Sequence, residues 1–287
     1  MKRILITLFM AVSLVSCNKN QSKQETDEGN IIIEINHTVD GKQLETDQMI
    51  YTNAAGNKYL VSEIQWMISD LKLHRADGST ILIGKEGDIF YIDSDIPESM
   101  QLDLGFGVKS GDYTGLSFTF GMNELQNKSL RFVNPPESFM FWPDYLGGGY
   151  HYMKLNGKWI NTDDVAQPFN FHLGIGQVYD TLAPKSSYVS RSACCTSAHC
   201  EGYTPPEKTM PIIGFIQNYF DVRFEDTSFS VHASKSTKLQ LEMKIENWFK
   251  NPNIYDHNIW GGSIMQQQKA MKKACENGID VFRLTVK

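Results

Sequence analysis

Beyond its N-terminal segment, the 287-residue chain has no apolar run approaching the roughly 18 residues that a membrane-spanning helix needs. Charge is sparse and mixed: Asp, Glu, Lys and Arg make up 21% of residues, the net charge is -6, and no block of one sign stands out. A basic stripe of the kind that tracks phosphates is missing, so no nucleic-acid partner is expected. There is no Gly-x-Ser-x-Gly elbow, no His-Glu-x-x-His helix and no phosphate loop, which removes the commonest signatures of hydrolases and nucleotide enzymes. The paired acids Asp163 and Asp164 fall in a turn, where no catalytic carboxylate spacing can be read. The chain is therefore read as non-enzymatic. No internal repeat occurs, and with 41% apolar residues the chain can bury a core, so one domain over 31–287 is expected.

The first residues are of another kind. Met1-Lys2-Arg3, the apolar stretch 4–14 and then Val15-Ser16-Cys17 form a secretory signal, expected over 1–16. The end of that segment resembles the bacterial lipoprotein signal, which implies lipidation of Cys17 and a membrane contact through that anchor. The expected location is the cell envelope, at the periplasmic face or the outer-membrane surface. Residues 17–30 are polar and read as a flexible tether.

From Ile31 on, apolar residues recur two apart in short runs such as 31–37, 116–120 and 239–245, the period of half-buried antiparallel strands. Asp40-Gly41, Asp77-Gly78 and Ser110-Gly111 supply reversals between them. The pattern predicts an all-β antiparallel sandwich with long decorated loops. One segment departs from it: Ser263 can cap a C-terminal α-helix over 264–275, with Gly278 as its stop.

Five cysteines are present: Cys17, then Cys194, Cys195 and Cys200 in one loop, and Cys275 on the expected helix. In an oxidising compartment the last four make two disulfides in one of three pairings. The alternative is a soft-metal site of three thiolates and His199, suited to zinc or copper(I).

Residues 134–157 crowd aromatic rings, Met140, His151 and Met153 around the triplet Gly147-Gly148-Gly149. In Phe169-Asn170-Phe171-His172-Leu173-Gly174, alternation sends the apolar residues to one face and Asn170 and His172 to the other. On the first strand, His37 shares a face with Ile31, Ile33 and Ile35 at the strand's end, from which it can reach a rim site.

These segments, with Asn36-His37-Thr38-Val39-Asp40-Gly41, Met140-Phe141-Trp142 and Gly149-Tyr150-His151-Tyr152-Met153, resemble the MbnP-like family of periplasmic copper-binding proteins. That family accompanies di-haem partners of methanobactin operons in some bacteria and includes lipoproteins of Bacteroidetes. The resemblance covers most of the chain after the tether. It implies an all-β domain that holds copper through imidazole nitrogens beside a tryptophan that some members convert to kynurenine, with a di-haem peroxidase-like partner. Carried onto this sequence, it makes His37 and His172 the ligands and Trp142 the modified residue. Met140, His151 and Met153 are ligands of second rank. Two departures stand out: Pro143-Asp144 follows the tryptophan where a second aromatic is common, and the cysteine loop is not a family feature.

Imidazole suits Cu(II) and thioether suits Cu(I), so a mixed set can hold copper through a redox change. Asn36, Asn170 or Asp144 can anchor the far nitrogen of a ligand ring. His74, His199, His232 and His257 are read as structural. The competing reading is a glycan- or protein-binding module that stacks sugars on Trp66, Trp142, Trp159, Trp248 or Trp260.

Overall fold

The structure is a computed structural model that describes residues 27–183 and 210–287. Cys17, Cys194, Cys195, Cys200 and His199, with the signal and most of the tether, lie outside the described residues.

In chain order the strands are β1 (Glu28–Val39), β2 (Lys42–Gln43), β3 (Tyr51–Thr52), β4 (Lys58–His74), β5 (Thr80–Leu82), β6 (Ile89–Asp93), β7 (Gln101–Lys109), β8 (Gly111–Tyr113) and β9 (Gly115–Phe120). They continue with β10 (Met153–Ile160), β11 (Ala166–Leu173), β12 (Gly176–Tyr179), β13 (Ile212–Ile216), β14 (Phe220–Phe224), β15 (Phe229–Val231), β16 (Ser236–Lys244) and β17 (Phe282–Val286). One sheet has the order β17-β16-β1-β2, with β7 also on β1; the larger one runs β11-β10-β4-β9-β14, with β3, β5 and β6 on β4. Their apolar faces meet in a core that includes Ile33, Trp66, Phe120, Phe171, Leu241 and Trp248. The expected all-β sandwich is the fold.

Three details correct the sequence reading. The first strand starts at Glu28, so residues 28–30 belong to the sheet rather than to a tether, and Asn30 is buried. β1 pairs with β16 in parallel, a long-range pairing that local periodicity cannot reveal. The C-terminal helix is α2 (Gln268–Asn277), after a short α1 (His257–Trp260). Ser263 does not cap it but bridges Asn170 of β11. Ile264 is buried ahead of the helix, whose inner face is Ala270, Met271 and Ala274.

Cys275 is a free thiol that donates to the Asn218 carbonyl at 3.3 Å, and burial pushes its pKa up to about 12. Among the described residues Cys275 is in no disulfide, and the three cysteines expected to pair with it lie outside them.

Candidate metal centre

Two sequence features build the site. The first is the hairpin of β10 and β11, closed by the turn in which the Asn161 N–H donates to the Val165 carbonyl. Its register sets His172 opposite Lys154 and Leu173 opposite Met153. Across the next strands the row continues, with Lys154 opposite Gln65 and Gln65 opposite Asp93. Side chains alternate faces, so this polar row lies on the outer side of the sheet, while Met153, Leu173 and Trp66 point into the core.

The second feature is the glycine triplet. Gly147, Gly148 and Gly149 all have positive φ, which β-carbons resist, and a β-carbon on Gly149 would lie 2.3 Å from Asn127 Oδ1. The reversal folds 140–142 back along 149–151. Trp142 N–H donates to the Gly149 carbonyl at 2.8 Å and His151 N–H to the Met140 carbonyl at 2.6 Å. This returning segment covers the outer face of β10 and β11, where Lys154 Nζ donates to the Phe139 carbonyl at 2.5 Å.

The result is a row of three rings. Trp142 meets His151 edge-on, with ring centres 4.6 Å apart, and His151 meets His172 edge-on at 5.0 Å. The indole is fully buried, its N–H donates to the Leu146 carbonyl at 3.2 Å, and its benzo edge lies over Gly174, where a β-carbon would come within 2.6 Å of Cε3. That contact accounts for the glycine after Phe171-His172-Leu173.

Each imidazole is anchored through one nitrogen and bare at the other. His151 Nδ1 lies 2.9 Å from the Met140 carbonyl, an oxygen that can only accept, so Nδ1 carries the proton and Nε2 has a lone pair. His172 Nε2 lies 2.7 Å from Asn156 Oδ1. His151 Nε2 and His172 Nδ1 are both buried without a hydrogen-bond partner. Buried polar atoms are normally satisfied, so two orphaned nitrogens on neighbouring rings fit the role of donors to a bound electrophile. Burial lowers the His151 pKa to about 3, helped by the neighbouring His172, and lowers that of His172 to about 4 through burial and then the Lys154 charge. Both rings are therefore neutral and ligand-ready at ordinary pH. Among the described residues no group of three or more His, Cys, Asp or Glu converges on one point.

His37 is not part of this cluster. It is buried in the core rather than at a rim, and its Nε2 accepts from Trp66 Nε1 at 3.1 Å. Trp66 lies on the inner face of the sheet that carries His172 on its outer face, so the structure does not bring His37 and His172 together. Met153 likewise points away from His172. Met140 is fully buried and contributes its backbone carbonyl to His151. The anchor of His172 is Asn156, not Asn36, Asn170 or Asp144; Asp144 accepts from Ser129 at 2.9 Å instead.

His74 is buried with Nε2 2.7 Å from Ser117 Oγ, and His232 is exposed. His257, read as structural, is a core ring. It is stacked between Phe169 and Trp159, and both of its nitrogens are buried and unpartnered.

A family model described as MbnP matches residues 28–266, which include every strand and ring of the site. The chain belongs to the MbnP family. Among solved structures, MbnP from Methylosinus trichosporium matches with a TM-score of 0.55 at 14% identity, over 90% of this chain and 99% of that one, a likeness of fold. No curated relative matches significantly. The matched MbnP region contains the whole cluster of Trp142, His151, Asn156 and His172. Asn156 was legible in principle: a hairpin centred on Asp163 sets residues equidistant from it opposite one another, and Asn156 is then the diagonal neighbour of His172.

Proposed function

We propose that this MbnP-family protein binds one copper ion through His151 Nε2 and His172 Nδ1, beside Trp142. The observation that carries the reading is the pair of buried, partnerless nitrogens on adjacent neutral imidazoles. Two imidazoles and no third ionisable ligand among the described residues suit monovalent copper, which accepts few donors, better than zinc, which takes four. Lys154, held by the Phe139 carbonyl and opposite His172 in the hairpin, adds a fixed positive charge that disfavours a dication more than a monocation. Bound copper would supply one-electron redox chemistry next to the indole.

The role we assign is copper acquisition or handling at the cell envelope, on a lipid anchor at Cys17, without catalysis. Oxidation of Trp142 by a di-haem peroxidase-like partner is the accompanying proposal. Its support is the exposed apolar rim beside the buried indole, where Phe139 is 66% and Tyr145 50% exposed. The glycan-binding alternative is weakened because Trp66, Trp142 and Trp248 have no exposed surface and Trp159 has 6%.

Anaerobic titration with Cu(I) against a chromophoric chelator is expected to give one ion per chain; a capacity near zero would remove the copper reading. In protein from the native envelope, the peptide containing Trp142 is expected to be heavier by about 4 Da, the gain from tryptophan to kynurenine. An unmodified mass would remove the oxidation while leaving the copper site standing.

A further inference from the structure

The geometry points to Glu63, acting through Asn156, as the positioning residue that fixes the tautomer of His172 and so decides which of its nitrogens is offered to a metal. This rests on the copper reading for its purpose, but not for its chemistry. A side-chain amide has an accepting and a donating end of nearly equal size, and it can face a histidine with either. Asn156 Nδ2 donates to Glu63 Oε2 at 2.8 Å. An ionised carboxylate only accepts, so it holds the NH2 end of the amide and turns Oδ1 toward His172 at 2.7 Å. Facing an acceptor, His172 Nε2 must carry the proton. The lone pair is then on Nδ1, the buried atom left without a partner.

The backbone enforces the arrangement. Asn156 and Glu63 are register partners on β10 and β4, and Asn156 lies on the same outer face as His172. The relay thus crosses three adjacent strands, β4, β10 and β11, and ends at the ring whose Nδ1 is buried without a partner. On the other ring the Met140 carbonyl does the same work for His151 Nδ1. One ligand is set by a main-chain oxygen, the other by a carboxylate through an amide. Outer partners of ligand histidines fix tautomer and orientation, and their loss typically lowers metal affinity about 10–100-fold.

The test uses the metal-free protein first. Long-range nitrogen–proton NMR correlations of the imidazoles are expected to show His172 in the Nε2–H form. Glu63→Gln offers Asn156 either end of a second amide, so the Asn156 amide is free to flip, and His172 is expected to become a mixture with the Nδ1–H form. Cu(I) affinity is expected to fall by at least about 10-fold. The double variant Glu63→Gln, Asn156→Asp places an acceptor-only group directly against His172, and the amide introduced on β4 can donate to it. It is expected to restore the single tautomer and most of the affinity, a recovery that a merely structural role would not give. A pure Nε2–H form in Glu63→Gln, or a double variant that restores neither property, overturns the assignment. Should Glu63→Gln not fold, Asn156→Ala is read in its place: a mixed tautomer supports the relay and an unchanged one overturns it. If the tautomers shift as expected while wild-type protein takes up no copper, the copper reading fails and the relay stands.

Discussion

Replacing His151 or His172 by alanine is expected to reduce Cu(I) affinity by at least about 100-fold, beyond the 10–100-fold typical of losing an outer hydrogen-bond partner. Each ring supplies one of the two bare nitrogens, so neither can substitute for the other. The double variant is expected to bind no stoichiometric copper. His37→Ala should behave in the opposite way. It removes the acceptor of the Trp66 indole N–H at 3.1 Å and opens a cavity in the core, at a cost of about 2–5 kcal/mol in stability. Its copper affinity should remain within a few-fold of wild type. Chelator competition and denaturant midpoints on the same three proteins separate the two effects. If His37→Ala loses copper while the other two keep it, the site belongs in the core and the present assignment is wrong.

Acid is expected to unfold the metal-free protein well above the pH at which carboxylates titrate. Burial holds His37 and His257 at about 4 and His151 at about 3, against an ordinary 6.5, and His172 is lowered as well. The unfolded chain takes up these protons as the pH falls through 6.5, whereas the folded chain refuses them until about pH 4. This contribution to stability is therefore whole above pH 6.5 and is lost between 6.5 and about 4 for His37 and His257, and down to about 3 for His151. Near pH 5 the three most buried histidines alone give a slope of about 4 kcal/mol per pH unit. Over the full window the loss is on the order of the entire stability of a typical domain, about 5–15 kcal/mol. Guanidinium midpoints at pH 7, 6 and 5 should fall steeply, and a level profile would contradict the burial of these rings. Cu(I) keeps His151 and His172 deprotonated, so saturating metal is expected to move the acid transition to lower pH.

How much of the site was legible varies from residue to residue. Alternation in 169–174 put His172 on the face opposite Phe169, Phe171 and Leu173, and that is where it lies, because period-two placement is local geometry. The same rule put His37 on the inner face with Ile31, Ile33 and Ile35, but it could not say that the strand's end is capped by Trp66 from the other sheet. A ring that reads as reaching a rim is therefore a core residue. His151 is second in rank in the sequence reading, behind the two histidines that the resemblance implies; it precedes β10, in a segment whose path depends on three consecutive positive φ values. No periodicity applies there.

Spacing along the chain was enough to specify the sandwich, most strand positions, the turns at Asp40-Gly41 and Asp77-Gly78, and the crowding of rings around the glycine triplet. Folding in three dimensions was needed to settle that His151 rather than His37 meets His172, that Asn156 and Glu63 orient it, and that Cys275 is a free thiol. Those outcomes depend on register between strands and on which face of a sheet a covering loop crosses. Contacts among residues far apart in the chain set both, and the distance between two side chains is not encoded in the interval between their positions.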